Sequence, residues 1–209
     1  MAGNLHGLLG ENLGLFANAE IFIFVYMEIV TRIEPIQRVM IKRAKLIDYA
    51  AFILLFGGFS IFGTYVGIPV SSGAISNVRD LAPMVAGLVA GPAVGVAVGL
   101  IGGIHRFFLG GVTCIACSLA TVLAGLLAGF IYRLNHERVL GILPAMLFAV
   151  GIELIHAALA LAISRPFSAA LEVVLTAIPP MIIANSLGLG ISIIVMHNTR
   201  ISLATLQKE

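Results

Sequence analysis

The sequence has 209 residues, of which 60% are hydrophobic and 11% are charged, and its formal net charge is +2. A water-soluble domain usually has about 45–50% apolar and about 25% charged residues, so this chain has too few charges to cover a globular surface in water. The small net charge argues against a nucleic-acid partner, and the mean hydropathy of +1.09 favours a protein embedded in the lipid bilayer.

Six apolar stretches are long enough to be membrane-spanning helices, which need about 20 apolar residues each. They cover residues 13–30, 49–68, 81–104, 113–132, 139–164 and 170–197. Helices are expected because unpaired backbone groups are costly in lipid and six isolated strands would not close a barrel. The sequence therefore predicts an all-α, polytopic membrane bundle of about six helices, as a single domain over residues 1–209 without a soluble output domain.

The two ends of the first span give different kinds of information. Residues 1–11 lack the positive segment and the cleavage site of a signal peptide, so no removable leader is predicted. The link 31–48 contains five Lys and Arg residues, which is typical of a cytoplasmic loop or of an amphipathic surface segment. With six spans, a cytoplasmic link would leave the C-terminus outside, so this pattern leaves the orientation open.

The third span has a glycine at every fourth position, at Gly87, Gly91, Gly95, Gly99 and Gly103. Residues four apart share one face of a helix, so this face has no side chains. Such a stripe allows another helix to approach closely. We interpret it first as a packing surface inside the bundle and second as a homodimer face.

Two arginines, Arg79 and Arg106, lie at the two ends of this span, and ionisable residues beside a membrane segment are candidate functional residues. They are 27 positions apart, which on an unbroken helix would be about 40 Å. Pro83 and Pro92 indicate a break, and broken helices can line binding cavities. The arginines therefore either share one site across a break or are separate anchors that reach lipid phosphates.

A pair of arginines suits a carboxylate, because each guanidinium group can donate two parallel hydrogen bonds to it. The turn that contains Asn77 and the pair Gly110–Gly111 could add backbone N–H groups to the same anion. The space between packed helices favours a small organic acid over a nucleotide.

The fourth span contains Cys114 and Cys117, which are three positions apart. Zinc would need two further ligands and a redox pair would need a thioredoxin-like context, so neither a metal site nor a cofactor is predicted. One cysteine could face a cavity beside Thr113, Ser118 or Thr121.

Glu153 and His156 share a face of the fifth span and are expected to hydrogen-bond across the bundle, with a proton relay as the alternative. We find no Ser-His-Asp set, phosphate loop or pair of catalytic carboxylates in the sequence. No enzymatic activity is therefore predicted for this chain.

An ordered series of short blocks resembles the LytS-YhcK type of transmembrane receptor region, over about residues 10–197. The blocks are Asn77-Val78-Arg79, Gly87-Leu88-Val89-Ala90-Gly91-Pro92, Gly102-Gly103-Ile104-His105-Arg106 and Gly110-Gly111-Val112-Thr113, followed by Ser164-Arg165-Pro166 and Pro180-Met181-Ile182-Ile183-Ala184-Asn185. The resemblance implies a homodimeric sensory module in the bacterial plasma membrane. Some members of the family are receptors for extracellular pyruvate, and others are linked to murein hydrolase and autolysis control.

In this family the membrane region precedes a cytoplasmic output domain, most often a histidine kinase with a response regulator and sometimes a diguanylate cyclase. The bundle is also similar to the substrate-binding subunits of energy-coupling-factor vitamin transporters. The resemblance favours a C-terminus inside the cell. Because the sequence ends at Glu209 without a kinase, we expect an excised sensor region or a protein that signals in trans.

The resemblance also assigns residues. The two arginines of the pyruvate-type site correspond to Arg79 and Arg106, and the cysteine of the family corresponds to Cys117. A serine one turn after that cysteine is replaced by Ala120, which removes a hydroxyl donor that Ser118 or Thr121 could supply. The predicted ligand-binding residues are Arg79, Arg106, Cys117, Asn77, Gly110, Gly111, Thr113 and Ser118.

Three functions are compatible with these patterns. The first is a sensor region that binds a small carboxylate such as pyruvate and signals to a cytoplasmic output domain. The second is a substrate-binding subunit or small transporter for an organic acid or vitamin-like solute. The third is a structural anchor that holds a signalling dimer in the lipid without a ligand.

Overall fold

The computed structural model describes residues 2–69 and 75–206, with side chains for residues 16–67 and 75–205. Its elements are α1 (Ala2–Val30), α2 (Glu34–Met40), α3 (Leu46–Tyr65), β1 (Ile68–Pro69), β2 (Ile75–Ser76), α4 (Leu81–Ala90), α5 (Pro92–Phe108), α6 (Cys114–Leu134), α7 (Ile142–Ile163) and α8 (Phe167–Leu206). The strands pair antiparallel, with Ile68 opposite Ser76. The middle of the turn predicted between the second and third spans, residues 70–74, lies outside the described residues.

Four helices, α3, α6, α7 and α8, are long and apolar enough to cross a membrane. The 29-residue α1 packs along α8. Large apolar side chains such as Leu54, Leu147 and Leu175 point outward and are 63–70% exposed, as expected for a surface that faces lipid. The predicted all-α polytopic membrane bundle is confirmed. The basic link 31–48 contains the short helix α2, whose apolar side is buried.

The structure differs from the prediction in the third span, because residues 81–104 form a hairpin of two helices instead of one helix. Gly91 joins α4 to α5 with φ of 89°, a left-handed conformation that side chains disfavour. Pro92 begins α5, where its missing N–H group costs nothing. The ten residues of α4 extend only about 15 Å, about half of the hydrocarbon thickness. The hairpin therefore enters and leaves the bundle at the same end.

The glycine stripe of the hairpin packs against α6 of the same chain. A Cβ atom added to Gly87 would lie 2.5 Å from the carbonyl oxygen of Gly125, and one added to Gly99 would lie 2.8 Å from that of Thr121. These distances leave no room for a methyl group. The backbones of the hairpin and α6 can approach this closely only because the stripe has no side chains. The glycine face is thus a packing surface inside the bundle, which was the first of the two interpretations.

The hairpin also fixes the two ends of the bundle. One end, the site end, contains the start of α4, the end of α5, the start of α6 and the link between α7 and α8. The second, the basic end, contains the links 31–45 and 135–141, which are joined by an ion pair of 3.0 Å between Lys42 Nζ and Glu137 Oε2, and the last turns of α8. Because residues 81–104 do not cross the bundle, the basic link and the C-terminal helix end lie together, which removes the conflict over orientation.

The short helix α4 is the centre of the bundle. Every residue from Leu81 to Val89 is buried, against α3, α5, α6 and α8. An apolar helix that is covered on all sides needs no polar face. The residues immediately before it, Arg79 and Asp80, are consequently held in the interior.

Candidate ligand-binding site

A cavity of about 420 Å³ lies at the site end, where α4 begins and α5 ends. One wall is polar and contains Thr64, Asn77, Arg79, Arg106, Thr113, Cys117 and His156. The apolar part of the lining comes mainly from α8, with Val173, Val174, Ala177, Ile178 and Met181. The hairpin thus brings Arg79 and Arg106 to one cavity, although they are 27 positions apart in the chain.

Arg79 is fully buried. Its Nε donates a hydrogen bond of 2.8 Å to Thr121 Oγ1, and its backbone N–H donates one of 3.2 Å to Asn77 Oδ1. Neither Nη1 nor Nη2 has a hydrogen-bond partner among the residues that the structure describes. A buried guanidinium group with two unsatisfied amino groups is costly, so this arrangement favours an anion in the cavity.

The carboxylate of Asp80 holds the wall around Arg79 in place. Its Oδ1 accepts a hydrogen bond of 2.6 Å from Thr121 and lies 3.5 Å from Arg79 Nε, while its Oδ2 lies 3.0 Å from His156 Nδ1. Because an ionised carboxylate only accepts, His156 donates through Nδ1. Asp80 therefore compensates the charge of Arg79 and also orients the imidazole ring that lines the cavity.

Arg106 is half-buried and is held by the loop that follows α5. Its Nη1 donates a hydrogen bond of 2.6 Å to the carbonyl oxygen of Gly110, and its Nη2 donates one of 3.3 Å to Thr113 Oγ1. Gly110 and Gly111 have φ of 71° and 90°, values that let the chain turn back around the guanidinium group. The double glycine thus shapes the cavity mouth through its backbone conformation.

Seven of the eight predicted binding residues line this cavity, namely Arg79, Arg106, Cys117, Asn77, Gly110, Gly111 and Thr113. The exception is Ser118, which is absent from the lining and donates a hydrogen bond of 2.7 Å to the carbonyl oxygen of Cys114. Ser118 follows Cys117 directly, so the helix turns its side chain about 100° away from the face of Cys117.

Thr121 follows Ala120 directly and lies one turn after Cys117. It accepts the hydrogen bond from Arg79 and donates to Asp80, so its single proton is already engaged. Ala120 is itself buried. Thr121 therefore positions Arg79, and its proton is not free for a further hydrogen bond.

Sequence reasoning did not assign Asp80 and His156 to the binding site. Their signals were present, since Asp80 follows Arg79 directly and His156 was expected to bond across the bundle. His156 does so, from α7 to the residue before α4. Glu153 does not bond across the bundle, because its carboxylate has no hydrogen-bond partner among the described residues and lies 3.7 Å from His156 Nδ1.

Asp80, Glu153 and His156 offer three potential metal-ligand atoms within 4.8 Å of one another. The guanidinium group of Arg79 lies 3.5 Å from the Asp80 carboxylate and already supplies a positive charge there. Its repulsion opposes a divalent cation at this point. We therefore regard the cluster as the support of Arg79.

Comparisons with known proteins agree with this architecture. The sequence profile of the family described as "5TMR of 5TMR-LYT" matches residues 33–199. The chain is 30% identical to the sensor histidine kinase BtsS of Escherichia coli K12, over 70% of this chain and 27% of that protein. It is 35% identical to the sensor protein LytS of Bacillus subtilis, over 66% of this chain and 26% of that protein. It is also 30% identical to LytS of Bacillus cereus, over 77% of this chain and 30% of that protein.

No solved structure matches the chain. The chain spans less than a third of the length of these relatives. The family match includes the whole cavity, from Thr64 to Met181. The resemblance to LytS-type receptor regions is confirmed. The chain is a multi-pass membrane protein and belongs to the 5TMR-LYT family of receptor regions.

Proposed function

We propose that the chain is the sensor region of a bacterial two-component histidine kinase and that it binds a small carboxylate, such as pyruvate, between Arg79 and Arg106. The observation that carries this proposal is the fully buried Arg79, whose two amino groups have no partner among the described residues. Arg79 lines a cavity that is also lined by Arg106. A carboxylate bridging both guanidinium groups would satisfy those donors.

The balance of charge favours a single carboxylate. The two arginines and Asp80 leave one positive charge, and Glu153 with His156 adds no net charge either as a neutral pair or as an ion pair. The cavity of about 420 Å³ is near the lower end of ligand pockets, which suits an acid of a few carbon atoms. Its apolar α8 wall suits a methyl or methylene group at the other end of the ligand.

Polar groups beyond the arginines favour a 2-oxo acid over a simple fatty acid. Cys117 and His156 both line the cavity. Together with Thr113 they offer hydrogen-bonding groups for a second oxygen on the ligand.

The orientation follows from the distribution of basic residues. Arg32, Arg38, Lys42, Arg43, Lys45, Arg133, Arg138 and Arg200 lie at the basic end, whereas Arg79, Arg106 and Arg165 lie at the site end. By the excess of Lys and Arg in cytoplasmic loops, the basic end faces the cytoplasm of a cell whose plasma membrane holds the protein. The ligand cavity then faces outward.

Helix α8 connects the two ends, since it lines the cavity near Val173 and continues to Leu206 at the basic end. A ligand that binds more tightly when α8 lies closer to the arginines would shift that helix. In a homodimer with a cytoplasmic kinase or cyclase, such a shift would control signalling to a response regulator. Because the buried α4 lies between the cavity and the basic end, this arrangement favours sensing over transport.

The test measures the thermal stability of the purified protein during titration with pyruvate. Arg79→Gln and Arg106→Gln are each expected to weaken binding by about tenfold or more, because each loses charge-assisted hydrogen bonds. Arg165→Gln is the matched control, since Arg165 is exposed at the same end and does not line the cavity.

An equal response to pyruvate in the wild type and in both cavity variants would refute the site. Accumulation of labelled pyruvate in proteoliposomes would instead support the transporter hypothesis.

A further inference from the structure

A second cavity, also of about 420 Å³, lies at the basic end of the bundle. It is an open cavity lined by the end of α2 and the residues after it, by the link between α6 and α7, and by the last turns of α8. The buried helix α4 separates it from the carboxylate cavity, so the proposed sensing function does not use it.

The charges of this second cavity are unbalanced. The described residues of its lining include Lys42, Arg138, Arg200 and one carboxylate, Glu137, which pairs with Lys42. Among the described residues, neither arginine has an ion pair, and the buried Nε of Arg200 has no hydrogen-bond partner. Three cationic groups against one carboxylate leave a formal surplus of two positive charges. The imidazole ring of His197 also lines the cavity. The cavity therefore favours an anion.

The rest of the lining is apolar and contains Met40, Ile41, Val139, Leu140, Ile193 and Met196. A wall of this kind offers nothing to a small inorganic anion. It suits a molecule that has a phosphate group next to hydrocarbon, as a phospholipid has at the junction of its headgroup and acyl chains.

The position of the cavity agrees with this chemistry, because basic groups at the cytoplasmic membrane surface attract acidic lipids. We propose that the second cavity binds the phosphate headgroup of an acidic phospholipid, with Arg138 and Arg200 as the main phosphate contacts. One lipid would then contact the α2–α3 link, the α6–α7 link and α8. Lipid composition would thereby influence the position of the helix end that leads away from the membrane.

The test titrates the purified protein in neutral detergent with short-chain phosphatidylglycerol and follows the thermal unfolding midpoint. Phosphatidylglycerol should stabilise the protein, whereas phosphatidylcholine and inorganic phosphate should not. In the double variant Arg138→Gln/Arg200→Gln, the affinity for phosphatidylglycerol should fall about fivefold for each arginine removed.

Two further variants keep the proposal testable even if the double variant does not fold. Glu137→Gln removes the one carboxylate among the described lining residues and should raise the affinity for phosphatidylglycerol. Arg43→Gln removes an exposed charge from the same end that does not line the cavity, and it should change little. Equal effects of the two lipids, equal stabilisation by inorganic phosphate, or no response to Glu137→Gln would each overturn the proposal.

Discussion

The two ends of this bundle use arginine in different ways. At the site end, Arg79 is fully buried and is fixed by Thr121 and Asp80 before any ligand arrives. At the basic end, Arg138 is exposed and Arg200 is partly exposed, and neither has an ion pair among the described residues. A buried, preorganised guanidinium group can discriminate between small acids, because its position is set by the protein. A guanidinium group at the interface adapts to a headgroup instead.

From the comparison of the two ends, we expect the largest loss of stability on substitution of Asp80. Asp80→Asn leaves the buried charge of Arg79 without its carboxylate partner, so we expect a loss of about 3–5 kcal/mol in the free energy of unfolding. This loss can be measured by unfolding the protein in mixed detergent micelles. Glu172→Gln, which changes an exposed carboxylate of α8 near the same cavity, is the control and should change stability by less than about 0.5 kcal/mol. Equal losses in the two variants would show that Asp80 does not compensate Arg79.

The next largest effect concerns the contact that keeps the hairpin against α6. A methyl group at Gly125 would collide with the backbone of Gly95, so Gly125→Ala should cost about 1–3 kcal/mol and should weaken pyruvate binding. Gly151 lies in α7, and a Cβ there would meet nothing within 4 Å. Gly151→Ala should therefore be neutral or stabilising by up to about 1 kcal/mol. Denaturation and ligand titration on the same samples would check both variants, and a harmless Gly125→Ala would contradict the close packing.

The smallest effect is expected at the ion pair of the basic end. The side chains of Lys42 and Glu137 are 50% and 61% exposed. Water therefore screens their ion pair, and Lys42→Ala should lower stability by less than about 1 kcal/mol. Because α4 separates this pair from the first cavity, pyruvate affinity should not change. A large fall in pyruvate affinity in that titration would mean that the two ends are coupled in the isolated chain.

The sequence predicted the helices well wherever one apolar run equals one helix. The fourth span, 113–132, agrees closely with α6, and the fifth, 139–164, agrees with α7. The prediction was less complete for 81–104, where composition looks uniform on both sides of Gly91. Hydropathy measures the preference for lipid, and it contains no information about the direction of the chain after a glycine.

The candidate site residues also divide into those that the sequence could predict and those that depend on tertiary packing. Arg79, Arg106 and Cys117 were predicted because charged residues, and residues that match a known family, stand out in an apolar sequence, and all three line the cavity. Ser118 does not line the cavity, because the direction of its side chain depends on the rotation of α6 against the hairpin. That rotation is set by the glycine contacts of α6, which involve residues far apart in the chain.

By itself, the sequence determined that the protein is helical and embedded in lipid, since the bilayer imposes both properties on any chain with so few charges. It also identified Arg79 and Arg106 as two charged residues at the ends of an apolar segment. Only the tertiary structure decided that they meet, because the reversal at Gly91 and the packing of α4 inside the bundle bring positions 79 and 106 to the same end. The same reversal places the basic link and the C-terminal helix end together, a result of chain path that local patterns do not encode.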